Sequence, residues 1–144
     1  MSESDASAVR PSARLPLRLF LVEDSALLRE LLIDSFSLIP GIVVAGYADS
    51  EDEALAQLHN APCDIVIVDI QLRQGNGIAL LHKLAAQTDA PKAISIVLSN
   101  NASAAHRRSV DQFDRCFFFD KTTEFSQLQQ LLVKLGASVS VHTL

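Results

Sequence analysis

Short apolar runs that stop on a polar residue constrain this chain more than any other feature. Leu19-Phe20-Leu21-Val22 is followed by Glu23 and Asp24, and Ile65-Val66-Ile67-Val68 is closed by Asp69. Ile94-Ser95-Ile96-Val97-Leu98 is closed by Ser99, and Cys116-Phe117-Phe118-Phe119-Asp120 is followed by Lys121. Runs this short and this apolar read as strands of a parallel sheet buried on both faces. In an open α/β sheet, ligands bind in the crevice beyond the carboxyl ends of the strands. Acids, a hydroxyl and an ammonium therefore converge on one small patch.

Helical patterns fill the intervals. After a first strand near 17–23, Ser25 opens a helix. Its Leu28, Leu31, Leu32, Phe36 and Ile39 recur at three- and four-residue steps and predict one buried face. Pro40-Gly41 stops it, and residues 42–48 form a second strand. Ser50 followed by Glu53 is a capping box for a short helix carrying Ala54, Leu55 and Leu58. The third strand, 64–68, leads through a Gly-rich turn at 75–77 to a helix over 78–87. Pro91 precedes a fourth strand at 94–98, a weakly apolar helix at 103–112 and a fifth strand at 115–119. A last helix, about 123–135, is ended by Gly136. Alternation of this kind predicts an α/β fold: a five-stranded parallel sheet with helices on both faces, in the flavodoxin-like order 2-1-3-4-5. Residues 1–16 read as a disordered tail, 17–136 as one domain and 137–144 as a loose C-terminal tail.

Composition narrows the function classes. With 49% hydrophobic and 20% charged residues the chain has the make-up of a soluble globular domain. A net charge of −5 argues against direct nucleic-acid binding. No signal peptide or membrane-spanning stretch is visible, and Cys63 and Cys116 read as buried, reduced thiols, so the expected location is cytoplasmic. His59, His82, His106 and His142 are scattered without ligand spacing and read as surface residues. Arg107-Arg108 reads as a solvated helix face in preference to a partner-binding patch.

The strand-end residues specify a chemistry. A carboxylate in a crevice beside other acids can ligate a hard cation or attack phosphorus, and Asp69 suits both uses. Glu23 and Asp24 suit a magnesium ion. Ser99 can donate to a phosphoryl oxygen, and Lys121 is a point-charge partner for the phosphoryl group or for the nucleophile. Each residue alone reads more simply as a turn, a cap or a solvated side chain. Only the set points to phosphoryl transfer.

The chain resembles the receiver domains of two-component response regulators, the CheY-like family, in a stand-alone form. The resemblance covers about residues 17–136. It rests on Leu-Phe-Leu-Val-Glu-Asp-Ser at 19–25, Ile-Val-Ile-Val-Asp-Ile-Gln-Leu at 65–72, Gly77, Ile-Val-Leu-Ser at 96–99 and Phe-Phe-Phe-Asp-Lys at 117–121. The spacings of 30 and 52 residues from Asp69 to Ser99 and to Lys121 agree with that family's pattern. The resemblance implies that Asp69 accepts a phosphoryl group from the phosphohistidine of a histidine kinase or phosphotransfer protein. It implies that Glu23, Asp24, Asp69 and the backbone carbonyl of Gln71 hold Mg2+. Ser99 and Lys121 would bind the phosphoryl group, Phe118 would be the switch aromatic, and Gln71, Asn100 and Asn101 would tune its lifetime. Output would pass through altered contacts of the fourth helix, fifth strand and fifth helix with an unknown protein target, and a phosphorylation-linked homodimer is compatible. No membrane partner is implied, and catalysis is limited to self-phosphorylation and self-dephosphorylation, so the chain is not otherwise an enzyme.

Three positions depart from the family pattern. Arg73 stands where proline is usual, Asn100 where a small residue is usual, and Thr122 where a cis proline is usual, which predicts a trans Lys121-Thr122 bond. The main alternative is a degenerate receiver that acts as a phosphorylation-independent interaction module. A haloacid-dehalogenase-type phosphatase is disfavoured because Gln71 stands where a second Asp is needed. A flavin protein is disfavoured because no aromatic-rich loop is present.

Overall fold

A computed structural model describes residues 15–87, 93–100 and 104–141. Residues 1–14 of the expected tail, Pro91, Asn101, Ser103, His142 and the two residues after it lie outside the described residues, as does the His106 side chain. The element order is β1 (Leu17–Val22), α1 (Ala26–Ser37), β2 (Ile42–Ala48), α2 (Glu51–Asn60), β3 (Ile65–Asp69), α3 (Gly77–Ala85), β4 (Ile94–Ser99), α4 (Ala104–Val110), β5 (Cys116–Asp120) and α5 (Phe125–Val141). All four strand pairings are parallel, in the order β2-β1-β3-β4-β5, as the sequence predicts. No described helix is long and apolar enough to cross a membrane.

The two-sided burial of the strands explains their unbroken apolarity. Successive side chains point to opposite faces. Leu19, Leu21, Ile65, Ile67, Ile96 and Leu98 pack one face against Leu32 and Phe36 of α1 and Leu128 and Leu132 of α5. Phe20, Val22, Val66, Val68 and Val97 pack the other against Ala54 and Leu58 of α2, Leu80 and Leu81 of α3 and Val110 of α4.

Local signals start the helices. The Ser25 hydroxyl accepts from the Leu28 N–H at 3.2 Å, and the Ser50 hydroxyl from the Glu53 N–H at 3.2 Å. The Glu53 carboxylate returns to the Asp49 N–H, one residue earlier than a reciprocal capping box has it. Asn76 caps α3, accepting from the Ile78 and Ala79 N–H groups.

Several expectations need correction. Leu31 is 58% exposed rather than buried, because the stripe of α1 centres on Leu32 and Phe36 and a residue at 100° per step falls off its edge. Cys63 and Cys116 are free but only half-buried. Burial raises both thiols, Cys116 to about 11. Asp69, Ser99 and Asp120 are the last residues of their strands rather than the first residues beyond them.

Gly136 does not end α5, which runs on to Val141. A Cβ at Gly136 would overlap the Pro40 carbonyl oxygen, and one at Gly41 would overlap the Gly136 carbonyl oxygen. The glycine is needed for close approach of α5 to the α1–β2 turn, not for a helix stop. On helix propensity alone, alanine at 136 would add about 1 kcal/mol of stability. The backbone overlap reverses that sign. Gly136→Ala is expected to lower unfolding free energy by about 2 kcal/mol in urea titration followed by circular dichroism; a more stable variant would refute the packing role.

Candidate functional site

The parallel register brings the polar strand ends together. Val22 of β1 pairs with Val68 of β3, Asp69 pairs with Leu98 of β4, and Ser99 pairs with Asp120 of β5. The Lys121 N–H extends the last ladder by donating to the Ser99 carbonyl at 3.0 Å. Glu23 is 2% exposed, Asp69 8% and Ser99 1%, so the groups sit in the mouth of the sheet and not on its rim.

Two buried carboxylates side by side need a cation. Lys121 supplies it: its ammonium donates to Glu23 Oε1 at 2.9 Å and to Asp69 Oδ2 at 2.9 Å. Burial lowers the Lys121 pKa, but the hydrogen bonds to Glu23 and Asp69 and their charges outweigh it, and the net shift is upward. Glu23 Oε2 accepts from the Ser25 N–H at 3.1 Å, and Asp69 Oδ1 from the Gln71 N–H at 3.1 Å. Glu23 is further fixed through its main chain, which donates to Ala48 and accepts from the Arg29 guanidinium at 2.8 Å. Arg29 lies 4.7 Å from the centre of the Tyr47 ring.

Asp24 stands at the open side. One oxygen from each of Glu23, Asp24 and Asp69 lies within 4.8 Å of the others. Hard carboxylate donors grouped this closely fit a hard divalent cation. The tight return of the chain after Asp69 depends on Gly77, whose N–H donates to the Ile70 carbonyl at 3.0 Å. Any Cβ there would overlap the Asp69 carbonyl oxygen, which explains a glycine eight residues after the acid. Asn100 is exposed at the end of β4, and Gln71, also exposed, bridges to Asn76 across the β3–α3 loop.

Phe118, on β5, is half-buried. The Arg107 guanidinium lies 4.9 Å from its ring centre and donates to Glu124 Oε1 at 2.6 Å. Arg107 thus pairs with Glu124 while its side chain stays 42% exposed, and Arg108 is exposed as the sequence suggests. Glu124 Oε1 also accepts from the Asp120 N–H at 2.8 Å, and its pKa is lowered, chiefly by Arg107. A hydrogen-bonded clamp thus ties α4 to the β5–α5 loop over the Phe118 ring. No sequence pattern marks it, because its members come from three elements.

The β5–α5 loop replaces the usual proline with a different device. Asp120 Oδ1 accepts from the Thr122 N–H, the Thr122 hydroxyl and the Thr123 N–H, at 2.8, 2.6 and 3.0 Å. No cis peptide occurs among the described residues, as expected for Lys121-Thr122. These donors hold the Asp120 carboxyl down at about 2, the Thr122 hydroxyl foremost.

Asp120 stabilises the fold fully above its ordinary pKa of 3.8, and the contribution is lost as pH falls through about 2. Thr122→Pro removes both donors of residue 122, so the Asp120 carboxyl should titrate closer to 3.8 by carbon-13 NMR; an unmoved titration refutes the assignment. Lys121→Met leaves two buried carboxylates facing each other and should cost about 3 kcal/mol in metal-free thermal unfolding at neutral pH. A loss below about 1 kcal/mol, the range of an exposed pair, would mean the ammonium is not what neutralises them.

Comparison with known proteins identifies the family. The family model of the response regulator receiver domain matches residues 19–133. A protein-glutamate methylesterase/protein-glutamine glutaminase of Anaeromyxobacter dehalogenans is 33% identical over 100 residues, covering 69% of this chain and 27% of that protein. The DNA-binding transcriptional activator DevR/DosR of Mycobacterium tuberculosis is 37% identical over 68 residues, 47% of this chain and 31% of that protein. The chain spans roughly a quarter to a third of the length of such relatives. Among solved structures, a LuxR-family two-component response regulator from Aurantimonas sp. superposes with a TM-score of 0.75 at 21% identity, covering 85% of this chain and 86% of that one. The response regulator domain of Thermotoga maritima CheB gives 0.71 at 24% identity, covering 87% and 97%. Both structural likenesses concern the fold. The chain belongs to the response regulator receiver domain family of two-component signalling.

Proposed function

We propose that this domain is a phosphorylation-driven switch in which Asp69 is the phosphoryl acceptor. The observation that carries the reading is the Lys121 ammonium, 2.9 Å from both Asp69 Oδ2 and Glu23 Oε1, with Ser99 at the end of the adjoining strand. An Asp69 carboxylate oxygen attacks the phosphorus of a phosphohistidine on a histidine kinase or phosphotransfer protein. The phosphorus–nitrogen bond breaks, and its electron pair returns to the imidazole. Glu23, Asp24, Asp69 and the Gln71 carbonyl would hold Mg2+, which when bound neutralises charge on the phosphoryl oxygens. Lys121 turns from the carboxylate pair to the new dianion, and the Ser99 hydroxyl donates to a phosphoryl oxygen. Gln71, Asn100 and Asn101 would tune its hydrolysis.

The added charge of about −1.5 to −2 is the lever for the output. Phe118 lies on β5, where Val97 and Phe118 pair as neighbours two residues before Ser99 and Asp120. Its ring is held by the Arg107–Glu124 clamp, so a movement of Ser99 reaches α4, β5 and the start of α5 together, and those elements form the face read by a downstream protein. Leu27 and Leu31 are exposed on α1. A cavity of about 240 Å3 between α1 and α5 has Leu31, Phe125 and Lys121 on its walls.

Incubation with acetyl phosphate and magnesium, followed by intact-mass spectrometry, tests the reading. One phosphoryl adduct is expected, lost with EDTA and absent from Asp69→Ala. Stoichiometric labelling of the variant would displace Asp69. No adduct from acetyl phosphate or from a cognate kinase would favour a phosphorylation-independent interaction module.

A further inference from the structure

The β3–α3 loop places a second cation on the acidic cluster. The Arg73 N–H donates to Asp24 Oδ2 at 2.6 Å, its Nε lies 3.8 Å from the same oxygen, and its Nη2 donates to the Asp24 carbonyl at 3.4 Å. Three carboxylates, Glu23, Asp24 and Asp69, are thus met by two cations. Lys121 is buried on the inner side, and Arg73, 81% exposed in its side chain, is on the outer.

Arg73 is not carried there by an untethered loop. The Gln71–Asn76 bridge closes the loop at its base. The Asn76 N–H donates to Glu51 Oε1 at 3.1 Å, and the Glu51 N–H donates to the Gln74 carbonyl at 3.2 Å. Glu51 is itself buried and paired with Lys83 at 2.5 Å, which holds its carboxyl below the usual range. The first residue of α2 therefore fixes the loop beside Arg73.

We propose that Arg73 is a resident counter-cation of the metal site, which occupies Asp24 until a divalent cation displaces it and so sets the metal affinity. The inference rests on the reading of Glu23, Asp24 and Asp69 as a magnesium centre. A guanidinium and a metal compete for the same carboxylate, and their charges repel. The backbone N–H of residue 73 stays whatever the side chain, so Asp24 keeps its orientation when the charge is removed. Because the ion pair is exposed, its effect is modest and screened by salt.

The test is a Mg2+ titration of the full chain followed by amide chemical shifts, for wild type, Arg73→Ala, Arg73→Gln and Asp24→Asn. Both Arg73 variants should bind Mg2+ about threefold more tightly than wild type at low ionic strength, the size expected of an exposed pair, and the gap should narrow at high ionic strength. Arg73→Gln keeps much of the bulk and removes only the charge. Tighter binding by Arg73→Ala alone would assign the effect to space and overturn the proposal, as would equal or weaker binding by both. Wild-type binding that survives unchanged in Asp24→Asn would show that the metal does not use the oxygen Arg73 covers, and would overturn it too. Failure of every protein, wild type included, to bind Mg2+ would instead overturn the metal-centre reading itself, and the proposal with it.

Discussion

The buried ammonium of Lys121 is the interaction on which the site depends. Glu23 and Asp69 are held within one crevice by adjacent strands whose apolar packing cannot be rearranged to separate them. Two carboxylates so confined repel each other strongly in a medium of reduced dielectric. The lysine turns that repulsion into two charge-assisted hydrogen bonds. It reaches the carboxylates because β5, the strand it follows, lies two places from β3 in the sheet, and its backbone is pinned to Ser99. The arrangement is only partly neutralised: three acids face two cations, and one of those cations is exposed. A site of that kind is ready for more positive charge at its mouth and for a negative group beside the lysine.

The fold was legible to a large degree because its main term is burial. A strand covered on both faces has nowhere to put a polar side chain except at its end, so Glu23, Asp69, Ser99 and Lys121 stand out against the runs they terminate. Strand order is harder to read, and the flavodoxin-like order rests on the number of strands alone. Capping serines were readable because their hydrogen bonds are local.

What escaped sequence reading has a common cause: it joins residues far apart in the chain by side chains of ordinary surface character. Arg107 looks solvated until Glu124 and Phe118 are placed beside it. Arg73 registers only as a missing proline, and its contact with Asp24 spans 49 residues. Glu51 is a charged residue at a helix start, yet it is buried because the β3–α3 loop folds over it. Gly136 misled for the opposite reason. A glycine after a leucine stripe is the usual mark of a helix end, but here the absence of a side chain serves a neighbouring turn.

The contact between Gly136 and the Pro40-Gly41 turn also governs how α5 can move. Backbone meets backbone there with no side chain to yield, so the helix cannot come closer to the turn at that point. The other end, at Phe125, adjoins Glu124 and the clamp over Phe118. From Phe125 to Gly136 the helix is an arm of about 16 Å, at 1.5 Å per residue. In mechanical terms α5 rests at one end on a clamp of side chains and near the other on a backbone stop.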